Sequence, residues 1–210
     1  MFWGDPNNQT LVDNVRVRDG FNFNWTTITL LVFVILVYAF LWYKKLYKPM
    51  IAGITLYSVH WFYEIINAVI AKAIGGPLWA VTNASSSYVL LIGVSIELSL
   101  MFSVAGIATW FLLPADRNRK LLRIPVKIWA AVGTALLAAL LEIFLTSTPA
   151  FLWVYPWWGF LPVFITTYIP FFLAAVYVPD LKPKTQLICV GSLVALNVIL
   201  LAVLIPCGVI

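Results

Sequence analysis

The sequence predicts an all-α fold: a polytopic membrane protein, a bundle of six transmembrane helices. Three observations lead there. The chain of 210 residues is 63% hydrophobic and only 10% charged, where a soluble domain carries about 25% charged residues. Apolar runs of about 20 residues, the helix length that crosses a hydrocarbon core, recur along nearly the whole chain. The breaks between them are marked by proline, glycine and basic clusters. Barrel strands would instead be segments of about 10 residues with alternating polarity.

The elements follow in order. Residues 1–27 form a polar, non-cytoplasmic tail that holds Asp5, Asp13 and Asp19. The tail lacks the basic and apolar regions of a cleavable signal peptide, so the first helix is expected to serve as the targeting signal. A single transmembrane domain is expected over 28–210, with helices at 28–43, 50–73, 87–113, 127–147, 157–178 and 186–207. Lys44, Lys45, Lys48 and Pro49 end the first run, and Gly75-Gly76-Pro77 ends the second. Segment 114–127 ends the third, 149–156 the fourth, and Pro179 to Lys184 the fifth. No inverted repeat of the transporter kind is evident.

The net charge is +5, but its placement points to membrane orientation and not to nucleic acid. Three Lys lie in 44–48, five Lys/Arg in 114–127 and two Lys in 179–185, while 74–86 and 148–156 have none. By the positive-inside rule the basic loops are cytoplasmic and both termini are non-cytoplasmic. Arg16 and Arg18 in the tail are balanced by its aspartates. Cys189 and Cys207 fall on the last helix, about 27 Å apart along it, too far to bond to each other. Trp79, Trp153, Tyr155, Trp157 and Trp158 in the outer loops are first read as an interfacial aromatic belt, and second as a mouth over an internal cavity. Asn8, Asn24 and Asn83 each begin a glycosylation triplet on the outer side.

The main functional signal is the placement of acidic residues. All three Glu (Glu64, Glu97 and Glu142) fall inside expected helices, and all five Asp fall in the tail or loops. Intramembrane carboxyl groups are rare, cost about 2.5–3.5 kcal/mol at a helix centre, and mark functional interiors. With a helical rise of 1.5 Å per residue, Glu64 and Glu97 come out about 4 Å outside the midplane and Glu142 about 7 Å, all on the same side. His60 lies one turn from Glu64 on the same face, and Asn67 continues that face. Thr166, Thr167 and Tyr168 lie near the middle of the fifth helix, and Asn197 near the middle of the sixth. Interhelical hydrogen bonds, about 0.6 kcal/mol each on average, account for an isolated Asn or Thr better than for three Glu and the single His.

A carboxyl group in an apolar pocket resists ionisation, and more so beside a second one. Such a group is a ready general acid, with His60 placed to relay or accept the proton and aromatic rings to face a cation. The candidate catalytic set is His60, Glu64, Glu97 and Glu142. The candidate substrate-binding set is Tyr57, Trp61, Asn67, Thr167, Tyr168 and Asn197. Acid, base and aromatic wall suit protonation of an alkene or epoxide in a lipid, leading to isomerisation, cyclisation or hydration. No metal and no cofactor is expected. There is no HExxH or Glu-x-x-His repeat, no phosphate loop, no dinucleotide fingerprint and no Ser-His-Asp context.

The segment His60-Trp61-Phe62-Tyr63-Glu64, with Glu97 on the next helix, resembles the sterol isomerases related to emopamil-binding protein. That resemblance implies that His60, Glu64 and Glu97 handle the proton. It breaks on the later helix, where that family has Asn and Trp and this chain has Thr166, Thr167 and Tyr168, and this chain has one helix more. The segment from Trp61 to Asn67 is also similar to the Trp/Glu segment of the small integral-membrane terpene cyclases, whose late acidic residue is missing here from the sixth helix.

Three functions compete at this point. The first is an integral membrane enzyme acting on an isoprenoid or sterol-like lipid by intramembrane proton transfer. The second is a non-catalytic accessory subunit of a membrane complex. The third is a small proton-coupled transporter, disfavoured by the missing repeat although Pro162 and Pro170 interrupt helix five. The expected partners are the lipid bilayer and a hydrophobic small-molecule substrate, with no nucleic acid. A homo-oligomer or a larger membrane complex is left open.

Overall fold

A computed structural model describes residues 7–21, 24–84, 86–117 and 119–210. Its main elements are helices that occupy all six expected positions. A short helix α1 (Asn7–Asp13) precedes α2 (Trp25–Tyr43) and the long α3 (Tyr47–Ile74). A strand β1 (Trp79–Val81) and a hairpin of β2 (Val89–Leu91) and β3 (Val94–Ser95) lead into α4 (Ile96–Phe111). A second hairpin, β4 (Lys120–Leu121) and β5 (Ile124–Pro125), leads into α5 (Val126–Thr146), which β6 (Phe151–Trp153) follows. The next span starts as α6 (Phe160–Pro162), widens into a π-helical turn over Val163–Tyr168, and continues as α7 (Ile169–Tyr177). Helix α8 (Pro183–Leu204) closes the chain.

Four of these spans are long and apolar enough to cross a membrane: Trp25–Tyr43, Val126–Thr146, Phe160–Asp180 and Pro183–Leu204. The protein is therefore a multi-pass, helical membrane protein. Helix α4 is apolar but shorter, and α3 carries Lys48, Glu64 and Lys72.

Local chemistry sets the boundaries. Asn24 caps α2 by accepting the Thr27 N–H at 2.9 Å. Gly75, at φ +85°, ends α3 in a left-handed cap that returns its N–H to the Ala71 carbonyl. Ser95 caps α4 through the Leu98 N–H. The fourth boundary corrects the sequence reading: 87–95 is a hairpin, and the helix starts at Ile96 and not at 87. Its apolar residues were taken for helix because short buried strands and buried helix segments share the same composition.

Helix α3 lies at the centre, against α4, α7, α8 and α2. Its closest partner is α4, where a Cβ on Gly106 would come within 2.6 Å of the Ala52 carbonyl and 2.8 Å of the Gly53 Cα. Such backbone approach between small residues is how helices associate in lipid. Pro170 has no N–H to give, and the carbonyl of Thr166, four residues before it, accepts the Tyr63 hydroxyl at 3.0 Å.

The two ends of the bundle differ. At one end Asp180 takes ion pairs from Lys48, at 2.6 Å, and from Lys127. The other end carries a lid. Strands β1 and β6 pair antiparallel, with Trp79 opposite Trp153. The N-terminal tail is tied to this end by a 2.9 Å bond from the Arg18 N–H to the Val89 carbonyl, and the Arg18 guanidinium reaches the Ile210 carbonyl at 2.9 Å. The tail at Arg18 and the C-terminal Ile210 therefore meet at the lid end. The Asn83 amide is engaged with the Arg16 backbone on both sides, and Asn24 is the α2 cap; the side chain of Asn8 lies outside the described residues.

Candidate active site

Beneath the lid lies a small, largely buried cavity of about 40 Å³ bounded by α3, α4, α5, the π-helical turn, α7 and the two lid strands. Helix α3 supplies His60 and Glu64, one turn apart and both buried. His60 Nε2 stands 3.1 Å from Glu64 Oε1, close enough for an ion pair. The contact is not aligned as a hydrogen bond, and neither ring nitrogen of His60 has an aligned partner. The ring is held instead by packing: it stacks on Phe102 with centroids 3.9 Å apart and meets the edge of Phe171. Glu64 accepts the Trp79 indole N–H at 3.1 and 3.2 Å.

Helix α5 supplies Glu142, which accepts the Trp153 indole N–H at 2.6 Å and the Tyr168 hydroxyl. The two Trp that face each other across the lid sheet thus each hold one of the two carboxyl groups. Trp79 also stacks on Trp158 at 5.7 Å. The π-helical turn brings the neighbours Thr167 and Tyr168 both to the cavity wall. Widened turns of this kind recur at functional sites.

The cavity has room for two or three waters at about 10–15 Å³ of this measure each. Around it, His60 Nδ1, Trp158 Nε1 and Thr167 Oγ1 are buried with no hydrogen-bond partner, and His60 Nε2 has only its contact with Glu64. Buried polar groups are almost always satisfied, so several unsatisfied atoms converging on one space mark it as a place for water or a small reacting group.

The expected site residues fall into four places. His60, Glu64, Glu142, Thr167 and Tyr168 line this cavity. Glu97 does not, which corrects the expectation that three Glu share one space. Its carboxyl group accepts the Thr27 hydroxyl at 2.7 Å, the Ser87 N–H at 2.9 Å and the Ser86 hydroxyl at 3.0 Å. The depth estimate failed because the helix starts at Ile96, so Glu97 sits in its first turn and not deep within it. Asn67 is buried but pinned to the lid, donating to the Trp79 carbonyl and accepting the Leu78 N–H, both at 2.8 Å. Tyr57, Trp61 and Asn197 line a separate groove of about 550 Å³ among α2, α3, α4 and α8, with the Asn197 amide donating to the Ser58 carbonyl at 2.8 Å.

The sequence reading put Trp79, Trp153 and Trp158 first in an interfacial belt and second at the mouth of a cavity, and named none of them as site residues. All three are buried, and of the outer-loop Trp only Trp157 is exposed as a belt requires. A signal was present: Leu78-Trp79 and Leu152-Trp153 repeat the same dipeptide after the helices that bear Glu64 and Glu142. It also missed Phe102, Phe171 and Gly93. A Cβ on Gly93, at the turn of the β2–β3 hairpin, would lie 2.5 Å from Trp79 Nε1, 2.6 Å from Asn67 Nδ2 and closer still to Glu64 Oε2. Only glycine lets that hairpin seal the carboxyl group.

Comparison with known proteins adds kinship to this geometry. A protein of Archaeoglobus fulgidus described as an uncharacterized protein is 35% identical over 192 residues, which cover 89% of this chain and 90% of that one. No solved structure matches. Residues 7–206 match the model of a family described as an uncharacterized membrane protein family, and the chain belongs to that family.

Proposed function

We propose that the protein is an integral membrane enzyme that acts on an isoprenoid or sterol-like lipid by intramembrane proton transfer. The observation that carries this reading is the convergence of His60, Glu64, Glu142 and Tyr168 on one small, aromatic-walled cavity with unsatisfied polar atoms around it. We take the bundle to cross the membrane six times. Helix α3 is about 42 Å long and α4 about 24 Å at 1.5 Å per residue. Six crossings return the C-terminus to the side of the N-terminus, in keeping with the Arg18–Ile210 contact. The basic loops at the Asp180 end are then cytoplasmic and the lid faces outward. Cysteines placed at Asp19 and Lys120, with Cys189 and Cys207 replaced, test this: an impermeant reagent outside should label the first only, and the reverse pattern overturns the orientation.

In the chemical step Glu142, in its acid form, gives its proton to one alkene carbon. The carboxylate left behind meets two donors already aimed at it, the Tyr168 hydroxyl and the Trp153 N–H, and donors set in place before charge develops favour the transition state. The faces of Phe102, Tyr168 and Trp158 stabilise the cation. The His60–Glu64 pair removes a proton from the neighbouring carbon. One C–H bond forms, another breaks, the double bond shifts, and no electrons are lost or gained. The cavity then returns the proton to Glu142.

The small volume of the cavity favours a second reading, a non-catalytic subunit in which the two Glu–Trp bonds only fasten the lid. Incubation of the protein in deuterated water with isoprenoid lipids decides between them. The enzyme reading expects carbon-bound deuterium to enter the lipid, and expects Glu142→Gln and Glu64→Gln to lower the rate about a hundredfold or more, the scale of general acid catalysis. Equal rates in the parent and both variants would overturn it.

A further inference from the structure

Helices α4 and α5 are neighbours that barely touch. Between them runs a cleft of about 120 Å³ that opens on the lipid-facing side of the bundle. Its mouth is set by Met101 and Leu141, both about half exposed. Ala105 and Ala138 leave its walls thin, and its inner end is Phe102, Glu142 and Tyr168. These last three also line the cavity, as do Leu98 and Leu145. Of the five shared residues, Phe102 is the one whose ring reaches from the cleft to the acid–base pair, stacked on His60 at 3.9 Å and on Tyr168 at 6.3 Å.

We propose that this cleft is the entrance for the substrate, and that its occupant is the unsaturated hydrocarbon end of a membrane lipid, with Phe102 as the side chain that turns aside to admit it. This rests on the reading of Glu142 as an acid and deepens it by naming the substrate's route and the part of it that enters. Several observations point to that occupant. The cleft walls are apolar apart from Glu142 and Tyr168, so a polar headgroup has nothing to bind there. The mouth lies on α5, one of the four spans apolar enough for the bilayer, so what stands before it is hydrocarbon. The cleft and cavity joined offer close to the ~150 Å³ in which an apolar pocket holds a benzene-sized group. That is the size of one branched alkene unit and far too small for a fused-ring body, which narrows the proposed substrate from isoprenoid or sterol-like lipids to the isoprenoid ones. The larger groove among α2, α3, α4 and α8 shares no residue with the cavity and leads to neither Glu64 nor Glu142.

The test is photo-crosslinking in phosphatidylcholine bilayers with a prenyl alcohol that carries a diazirine at the hydrocarbon end. The full chain should be labelled at Met101, Leu141 and Phe102. Ala138→Phe, which fills the cleft without touching an acid–base group, should lower that labelling at least tenfold, and Phe102→Ala should raise it several-fold. Glu142→Gln should keep the labelling while losing deuterium transfer. Labelling confined to the α2–α8 groove, or unchanged in both Ala138→Phe and Phe102→Ala, would overturn the entrance. Normal labelling together with full deuterium transfer in Glu142→Gln would support the entrance and overturn the acid role, so the two failures read differently. Since Ala138→Phe is able to disturb packing, Leu141→Trp at the exposed mouth provides a second block with the same expected direction.

Discussion

Glu97 and Glu142 are both carboxyl groups on apolar helices, yet their surroundings differ in kind. Around Glu97, a backbone N–H and two hydroxyls from the start of α2 and the loop before β2 fill the oxygens' bonding positions. No atom of Glu97 or of these partners is among the buried polar atoms left unsatisfied in the described residues. Glu142 is held by an indole N–H and a phenol hydroxyl, and it borders a space shared with Glu64, His60 and several unpartnered polar atoms. The contrast teaches that membrane depth alone does not make a carboxyl group functional. A group whose bonds are all spent on local backbone and hydroxyls builds structure. A group facing other titratable side chains across a cavity is free to exchange a proton.

The comparison is sharpened first at the chemical centre. Glu142→Gln and Glu64→Gln keep shape and most hydrogen bonding, so melting temperatures should stay near the parent's while deuterium transfer falls about a hundredfold or more. Gly93→Ala comes next. The added methyl must displace Glu64, Trp79 or Asn67, and overpacking of this kind costs about 1–3 kcal/mol. Transfer should drop and stability fall together, whereas an unchanged melting temperature would show that the hairpin does not seal Glu64. At the far end, Asp180→Asn breaks the Lys48 and Lys127 pairs. Lys48 is half exposed, so its pair contributes about 1 kcal/mol or less, while the buried Lys127 loses its partner and adds a larger cost; stability should fall with transfer per folded molecule unchanged. A loss of transfer there would mean that the two ends are coupled.

The sequence carried the helices because apolar length and basic loops are direct consequences of a hydrocarbon solvent. It put His60 and Glu64 on one face because residues one turn apart share a face, and it reached Thr167 and Tyr168 by their depth alone, since their joint place on the cavity wall depends on the π-helical turn. It raised a lid over a cavity only as the second reading of the outer-loop Trp residues, and it did not carry the strand pairing that builds one. The pairing of Trp79 with Trp153 joins two loops on either side of α4 and α5, and strands of three residues have too few positions to show a period. It misplaced Glu97 for the same reason, since the β2–β3 hairpin took residues that read as the start of a helix. The split of Tyr57, Trp61 and Asn197 from Thr167 and Tyr168 was also hidden. All lie near mid-depth, and depth says nothing about which side of α3 a helix packs on.

The account rests on Glu142 and Glu97 playing separable parts, and one paired measurement tests that most directly: deuterium transfer to lipid and thermal stability, read side by side for Glu142→Gln and Glu97→Ala. Removal of the Glu97 carboxyl group leaves the Ser87 N–H and the Thr27 and Ser86 hydroxyls without this acceptor, at about 1–3 kcal/mol for each group left unsatisfied. Glu97→Ala should therefore melt well below the parent yet transfer deuterium at the parent's rate per folded molecule, while Glu142→Gln should melt near the parent and transfer almost none. If Glu97→Ala loses transfer while remaining folded, or Glu142→Gln retains it, the division between the structural and the chemical carboxyl group is wrong.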